Sequence, residues 1–128
     1  MRCIIKPIYE VINDYDKLVN GAEKVVVVFA TKNKYYYNFP AFKIEIFDVQ
    51  WGEEGFINNK QCETIKDIAG IETNLLIVAC DAGLSRSPAI AAAIYKINGH
   101  DVIAEKMMYN YPHLNKDIYA KIVSYCLS

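Results

Sequence analysis

Residues 75–98 read LLIVACDAGLSRSPAIAAAIYKIN, and this stretch decides the fold. Its opening run, residues 75–79, is continuously apolar, which is typical of a strand buried on both faces of a sheet. Its second half predicts a helix, with Ser87 as the N-cap, Pro88 in the first helical position and Gly99 directly after the helix end. A buried strand that leads through a short loop into a helix indicates a parallel sheet covered by helices.

The rest of the chain repeats this alternation of strands and helices. Three further apolar runs predict strands at residues 3–8, 24–30 and 41–47. Helical patterns with suitable capping residues cover residues 10–20, 56–71, 101–110 and 115–127. We therefore expect a single α/β domain over residues 1–128. Its mostly parallel sheet of roughly four to five strands would be flanked by helices, with a helical cluster at the C-terminal end.

The composition is that of an ordinary folded protein. The 128 residues carry 14 Lys and Arg against 15 Asp and Glu, and 53% of them are hydrophobic. This length and apolar content exclude a disordered chain, and the near-zero net charge argues against a dedicated nucleic-acid binder. No apolar run approaches the roughly 20 residues that span a bilayer, and the N-terminal MRCIIKPIYE has no secretory apolar segment. We therefore expect a cytoplasmic protein without nucleic-acid or membrane partners.

Four cysteines stand at positions 3, 62, 80 and 126, beside two histidines. Their wide spacing fits no zinc-binding pattern, so a structural zinc site is not expected. A disulfide framework is not expected in a reducing compartment. The thiols at positions 3, 62 and 126 lie in apolar settings and are interpreted as packing residues, with a resolving role for one of them toward oxidised Cys80 left open.

The loop between the predicted strand and helix has the composition of an anion-binding site. Backbone N–H groups in a tight loop and at a helix N-terminus favour a bound anion. Gly83 permits a backbone conformation or a close approach that a β-carbon would block. Arg86, separated from Cys80 by five residues, can hold two oxygens of a phosphoryl group bidentately. The predicted phosphate-binding residues are Asp81, Ala82, Gly83, Leu84, Ser85 and Arg86.

Cys80 stands in the same positive field and is the candidate nucleophile. Its pKa is expected to fall from about 8.5 into the range of roughly 3.5–7.5 that activated thiols show. The thiolate would attack phosphorus, and Ser87 would donate to the sulfur and help it to leave again. The pattern therefore predicts catalytic roles for Cys80, Arg86 and Ser87.

Residues 80–88, Cys-Asp-Ala-Gly-Leu-Ser-Arg-Ser-Pro, resemble the phosphate-binding loop of the cysteine-dependent protein tyrosine phosphatase superfamily. They are most similar to the small dual-specificity phosphatases and their bacterial and phage relatives, which Tyr-Pro-His-Leu-Asn at residues 111–115 also resembles. The resemblance covers roughly the second half of the chain and implies a phosphatase-like fold. It implies hydrolysis of phosphotyrosine in a protein or peptide through a cysteinyl-phosphate, without a cofactor or metal. Phosphoserine and phosphothreonine are further candidate substrates.

The resemblance also implies an Asp that protonates the leaving oxygen from a separate loop. Asp48 directly follows the predicted strand 41–47 and stands 32 residues before Cys80, a spacing that resembles the small dual-specificity enzymes. Asp48 is therefore the predicted general acid. Glu53 and Glu54 are the alternatives.

Two positions depart from the family pattern. Ala79 stands where the family usually has a His that lowers the thiol pKa. Without this His, the pKa of Cys80 could be higher or the phosphate-binding loop could be looser. Ala79 therefore makes a phosphate-binding pseudophosphatase-type module with weak turnover an alternative function. A small-molecule phosphatase or an arsenate reductase built on the same loop is a third possibility. Asp81 adds negative charge near the pocket, and residues 81–85 contain no basic side chain, which weighs against polyphosphorylated inositol lipids as substrates.

Two other families share pieces of this loop but fit less well. The low-molecular-weight tyrosine phosphatases share the ending Arg86-Ser87-Pro88. Their loop stands at the N-terminus and their acid lies in an Asp-Pro pair, which this chain lacks. Rhodanese-type loops are typically shorter than the five residues found here between Cys80 and Arg86.

The aromatic residues that follow the predicted strands could either contact a substrate or serve in packing. Residues 32–39, KNKYYYNF, predict an aromatic wall beside a phosphotyrosine ring, a basic lip for a phosphopeptide, or a surface loop with partly packed tyrosines. Trp51 and Phe56 would likewise either line the pocket or pack in the core.

Overall fold

The computed structural model describes residues 1–46 and 56–128. Within these residues it contains a four-stranded sheet in which every pair of neighbouring strands is parallel. The strands are β1 (Arg2–Pro7), β2 (Val25–Ala30), β3 (Phe42–Ile44) and β4 (Leu75–Cys80). Their order across the sheet is β1-β4-β2-β3, so β4 has a neighbouring strand on each side.

Helices cover both faces of this sheet. They are α1 (Ile8–Leu18), α2 (Asn59–Ala69), α3 (Arg86–Ile97), α4 (Asp101–Asn110) and α5 (Lys116–Cys126), with a 3₁₀ helix at Lys34–Asn38. α1 and the segment after β2 pack against one face, and α2, α3, α4 and α5 form the core of the other. The predicted α/β fold with a parallel sheet and C-terminal helices is confirmed. No helix in the described ranges is both long and apolar enough to cross a membrane.

β4 lies at the centre of the fold, because all six of its residues are buried. Its side chains alternate between the two faces of the sheet. Val78 and Cys80 belong to the core that contains α3, whereas Ile77 and Ala79 belong to the core that contains α1. Burial on both faces explains the continuous apolar run, and it directs the Cys80 side chain toward the α3 layer.

The first strand and helix differ from their predicted limits. β1 ends at Pro7 and α1 begins at Ile8 with no loop between them, whereas the pattern predicted a strand over 3–8 and a helix over 10–20. Ile8 and Val11 are fully buried, so the helix begins early enough to place both against the sheet. The chain therefore turns sharply at the carboxyl end of β1, next to the end of β4.

β3 is shorter than predicted. It covers Phe42–Ile44 and pairs only with the last half of β2, whereas the apolar pattern predicted a strand over 41–47. The backbone N–H of Ile46 donates to the carbonyl of Ile44 at 3.0 Å, a tight turn that takes the chain out of the extended ladder. Phe47, the last residue of the predicted strand, lies outside the described residues.

Candidate active site

The loop of residues 81–85 connects the carboxyl end of β4 to the N-terminus of α3. In the sheet, Cys80 lies opposite Pro7 of β1 on one side and Ala30 of β2 on the other. Because these strands are parallel, their carboxyl ends meet at one edge, which is where ligands bind in sheets of this kind. The structure thus places the predicted catalytic loop at the predicted edge.

Gly83 fixes the shape of this loop in two ways. Its φ of +71° lies in the left-handed region that side-chain-bearing residues rarely adopt. A β-carbon at this position would lie 2.7 Å from the backbone nitrogen of Pro7 and 2.8 Å from the carbonyl carbon of Lys6. Both of the expected reasons for a glycine therefore apply, and the loop rests on the junction between β1 and α1.

Cys80 is 1% exposed, and its Sγ lies 3.2 Å from the Oγ of Ser87. Burial acts to raise the pKa of this thiol. The Ser87 hydroxyl and the backbone N–H groups of Ser87, Ser85 and Gly83 outweigh burial, so the pKa falls below the ordinary cysteine value. The pKa is lowered although Ala79 supplies no imidazole to the loop.

The predicted N-cap of α3 is wrong. The helix begins at Arg86, and Ser85 rather than Ser87 occupies the N-cap position. Ser87 is fully buried in the first helical turn, where its hydroxyl lies beside the Cys80 sulfur. The partner of this hydroxyl is thus at the end of β4, a tertiary contact that a local capping pattern does not contain.

Arg86 is 8% exposed, and acceptors hold both terminal nitrogens of its guanidinium. Nη1 donates to the carbonyl oxygen of Ile46 at 3.0 Å, and Nη2 donates to Oδ2 of Asp81 at 3.1 Å. A guanidinium is a rigid, planar fork of five donors. These two contacts therefore set the plane of the fork at the N-terminus of α3, six positions after Cys80 in the chain.

Asp81 has partners that the sequence interpretation missed. Its Oδ1 accepts from the hydroxyl of Thr31 at 2.7 Å, and its Oδ2 accepts from Arg86. Thr31 is fully buried directly after β2. One signal for this contact was available in the sequence, since Thr31 and Asp81 each follow a predicted strand of one parallel sheet. The negative charge of Asp81, which the sequence places near the pocket, is thus in contact with the guanidinium of Arg86.

The tail that resembles the phosphatase relatives contacts the loop. The backbone N–H of Asn115 donates to the carbonyl of Ser85 at 3.1 Å, and the Asn115 side chain accepts from two backbone N–H groups in the first turn of α5. Asn115 thus connects the start of α5 to the loop. The other two predicted loop residues, Ala82 and Leu84, are exposed.

The predicted general acid falls in a part of the chain that the structure does not describe. Asp48, its alternatives Glu53 and Glu54, and Trp51 all lie outside the described residues. Ile46, the last described residue before them, is buried and accepts a hydrogen bond from Arg86. Phe56, the first described residue after them, packs against the core that contains α3. The identity of the acid therefore stays a prediction.

The tyrosine-rich segment packs largely on the α1 side of the sheet. Phe39 stacks on Phe29 with ring centroids 5.3 Å apart and meets Tyr15 edge-on at 5.2 Å. Tyr36 packs against the same core, whereas Tyr35 is 83% exposed. Packing therefore accounts for part of this segment, and Tyr35 remains a candidate for contact with a substrate ring.

The other three thiols have environments that raise their pKa. Burial raises the pKa of Cys3 to about 12 and that of Cys62 to about 11, and it also raises the pKa of Cys126. Cys3 lies opposite Leu76, four positions before Cys80. That separation is about 13 Å along a strand, too far for a disulfide with Cys80. A resolving role for either of the other two thiols stays a prediction.

Comparison of the chain with models of known protein families finds none that matches. Comparison with curated proteins likewise finds no match. The resemblance to cysteine-dependent phosphatases therefore depends on residues 80–88 and 111–115, and the function depends on the chemistry of the site itself.

Proposed function

We propose that this chain is a cysteine-dependent phosphatase that hydrolyses phosphotyrosine in proteins or peptides, with phosphoserine and phosphothreonine as further candidate substrates. One observation carries the proposal: the Cys80 thiol has a lowered pKa and lies 3.2 Å from Ser87, at the N-terminus of a helix that begins with Arg86. A thiolate, an anion-binding loop and a guanidinium at one strand end are the groups that covalent phosphoryl transfer requires.

In the first step, Sγ of Cys80 attacks phosphorus and an S–P bond forms while the bond from phosphorus to the tyrosyl oxygen breaks. Backbone N–H groups of the loop and the guanidinium of Arg86 stabilise the charge on the nonbridging oxygens. Asp48 donates its proton to the leaving oxygen, so that tyrosine departs as the neutral phenol. The product is a cysteinyl-phosphate.

In the second step, water attacks the phosphorus of this intermediate and the Asp48 carboxylate takes a proton from the water. The S–P bond breaks, its electron pair returns to Sγ, and inorganic phosphate leaves. A thiol of low pKa is the better leaving group, and the Ser87 hydroxyl donates to the sulfur as it becomes a thiolate. Neither step draws on a cofactor.

The charges around the loop bear on the class of substrate. The Asp81 side chain is 48% exposed beside Arg86, and the whole chain has a net charge of −1. Attraction for phosphate is therefore local to the loop. This supports a singly phosphorylated residue over a polyphosphorylated inositol lipid. A cytoplasmic location is part of the proposal, since a reducing compartment keeps the nucleophilic thiol free.

Hydrolysis of an aryl phosphate in the presence of EDTA tests the proposal. Cys80→Ser should lower kcat/KM at least about a thousandfold while preserving the circular dichroism spectrum, because a hydroxyl is not ionised near neutral pH. Cys126→Ser is the matched control and should retain activity, since Cys126 Sγ contacts the carbonyl of Cys62 at 3.6 Å. Equal turnover by the two variants would refute the proposal.

The same assay assigns the general acid. Asp48→Asn should lower kcat at least about a hundredfold and flatten the alkaline limb of the pH profile, because the leaving oxygen loses its proton donor. An unchanged profile would transfer the role to Glu53 or Glu54, which Glu53→Gln and Glu54→Gln would then distinguish.

A second candidate function is a phosphate-binding module with weak turnover. Ala79 favours it, because the family's usual His is absent at this position. Such a module would bind a phosphotyrosine peptide without releasing phosphate over a broad pH range. Release of phosphate that is lost in Cys80→Ser would contradict it. Turnover of small aryl phosphates without turnover of any phosphopeptide would instead indicate a small-molecule phosphatase.

A further inference from the structure

Thr31 connects the end of β2 to the phosphate-binding loop. Its Oγ1 accepts from the backbone N–H of Asn33 at 3.0 Å and donates to Oδ1 of Asp81 at 2.7 Å. An ionised carboxylate only accepts, so the one hydroxyl proton of Thr31 lies in the hydrogen bond to Asp81, and a lone pair of Oγ1 accepts from Asn33. The side chain is fully buried, and the backbone N–H of Thr31 donates to the carbonyl of Ile44 at 3.1 Å. Its position is therefore fixed from both β2 and β3.

Asp81 transmits this constraint to Arg86. Its two oxygens have different partners, with Oδ1 on Thr31 and Oδ2 on Nη2 of Arg86 at 3.1 Å. The Asp81 side chain is 48% exposed, so a contact with Arg86 alone would leave it free to rotate. The hydrogen bond from Thr31 removes that freedom, and the carboxylate then fixes one end of the guanidinium while Ile46 fixes the other.

We propose that Thr31 is a positioning residue that orients the Arg86 guanidinium through the carboxylate of Asp81. This inference rests on the proposed function and extends it to a residue outside the loop. Bidentate binding of phosphoryl oxygens depends on the plane of the guanidinium. The transition state needs this alignment more than the ground state, so loss of the Thr31 hydroxyl lowers kcat more than it raises KM.

Thr31 is a cleaner probe of this connection than Asp81. Asp81→Asn removes the positioning contact and, at the same time, a negative charge next to the substrate, and the two effects on binding oppose each other. Thr31→Val keeps that charge and nearly the same volume and removes the hydroxyl. Its effect on the reaction therefore reports the loss of the hydroxyl without a change of charge beside the substrate.

The kinetics of two Thr31 variants test the proposal. Thr31→Val should lower kcat for an aryl phosphate about tenfold with KM changed by less than about threefold, and Thr31→Ser should remain within about twofold of wild type. Thr64→Val is the matched control, because it removes a hydroxyl that bonds to a backbone carbonyl in α2. Unchanged kcat in a folded Thr31→Val chain, or equal losses in both Thr31 variants, would overturn the proposal.

A double-mutant cycle separates orientation from a general loss of structure. Arg86→Lys has no planar fork to orient, so adding Thr31→Val to it should lower kcat by less than about twofold. A tenfold loss in both backgrounds would overturn the proposal. If Thr31→Val does not fold, Asp81→Asn interrupts the same connection at a half-exposed residue and should lower kcat together with KM, and unchanged kcat would again overturn it.

Vanadate binding distinguishes failure of this inference from failure of the proposed function. Vanadate takes five-coordinate geometry on a thiolate and so resembles the transition state, and its binding needs no turnover. Thr31→Val should weaken vanadate binding about tenfold, and Thr31→Ser should not. Wild-type chain that binds vanadate without hydrolysing aryl phosphates would refute the phosphatase proposal alone. Vanadate affinity unchanged in Thr31→Val would overturn this inference alone, and no binding by wild type would overturn both.

Discussion

Cys80 and Cys3 belong to the same parallel sheet and pack in the same core, yet their thiols differ in acidity. Burial raises the pKa of Cys3 to about 12, whereas the pKa of Cys80, which is less exposed to solvent, is lowered. Cys3 stands near the start of β1, opposite Leu76 of β4. Cys80 stands at the end of β4, where a hydroxyl and several backbone N–H groups surround its sulfur. Hydrogen-bond donors at the strand end, and not solvent exposure, therefore lower the pKa of Cys80.

The largest effect expected from this comparison is a difference in alkylation rate between the two thiols. At pH 7, iodoacetamide should modify Cys80 at least about a hundredfold faster than Cys3, because the thiolate fraction falls tenfold for each pKa unit above the pH. Lowering the pH through the Cys80 pKa protonates the thiolate and slows its modification. Mass spectrometry of a time course, with and without inorganic phosphate, gives both rates. Faster modification of Cys3, or no protection of Cys80 by phosphate, would contradict the comparison.

The substitution Gly83→Ala tests whether the geometry of the loop causes the difference in pKa between Cys80 and Cys3. Gly83→Ala should lower the free energy of unfolding by about 2–4 kcal/mol, because it combines an unfavourable φ with a contact to the backbone of Pro7. It should also raise the pKa of Cys80, since the loop N–H groups move away from the sulfur. Chemical denaturation and titration of the thiol measure the two effects.

Gly21 provides the matched control for this substitution. It has a similar φ of +81°, but a β-carbon there would have nothing within 4 Å. Gly21→Ala should therefore lower the free energy of unfolding by only about 1 kcal/mol and leave the Cys80 pKa unchanged. Equal losses in the two variants would show that backbone conformation alone, and not the contact with β1, makes glycine necessary at residue 83.

The smallest expected effect comes from removing one donor among several. Ser87→Ala should raise the Cys80 pKa and slow hydrolysis of the cysteinyl-phosphate about tenfold, while the remaining N–H groups keep this pKa well below that of Cys3. Rapid-quench measurement of the phosphoenzyme reports the rate, with Ser124→Ala on the exposed part of α5 as the control. An unchanged pH dependence of alkylation would assign the lowered pKa to the backbone alone.

The fold was largely predictable because its strongest local signals agree with its tertiary structure. The continuous apolar run of residues 75–79 is buried on both faces, as predicted. The helices predicted to end in glycine or to begin at Asp or Asn have the predicted limits to within a few residues. The direct junction of β1 and α1 was missed, because the apolar Ile8 extends a strand pattern as well as it begins a helix. Packing on the sheet, and not local propensity, decides such a boundary.

The site was predictable where one segment carries its chemistry and not where distant segments meet. Cys80 and Arg86 flank one short loop, so their spacing alone predicts that they lie near each other. The cap assigned to Ser87 was wrong because the competing partner, Cys80, comes from another element. Thr31 and Asp81 stand 50 positions apart and meet because β2 is the neighbour of β4, and the apolar pattern does not determine strand order.

The contact of Gly83 with Lys6 and Pro7 also has a consequence for the order of folding. These residues are separated by at least 76 positions, so the loop is among the most non-local features of the chain. Consider a partly folded chain in which β4 and α3 have formed but β1 is still detached. It would contain every residue of the loop, but it would lack the contact with β1 that holds the loop in its conformation. Its Cys80 thiol would have a higher pKa than in the folded chain, because the loop N–H groups of Gly83 and Ser85 would no longer be held beside the sulfur. The acidity of this thiol would therefore report whether the first strand has docked.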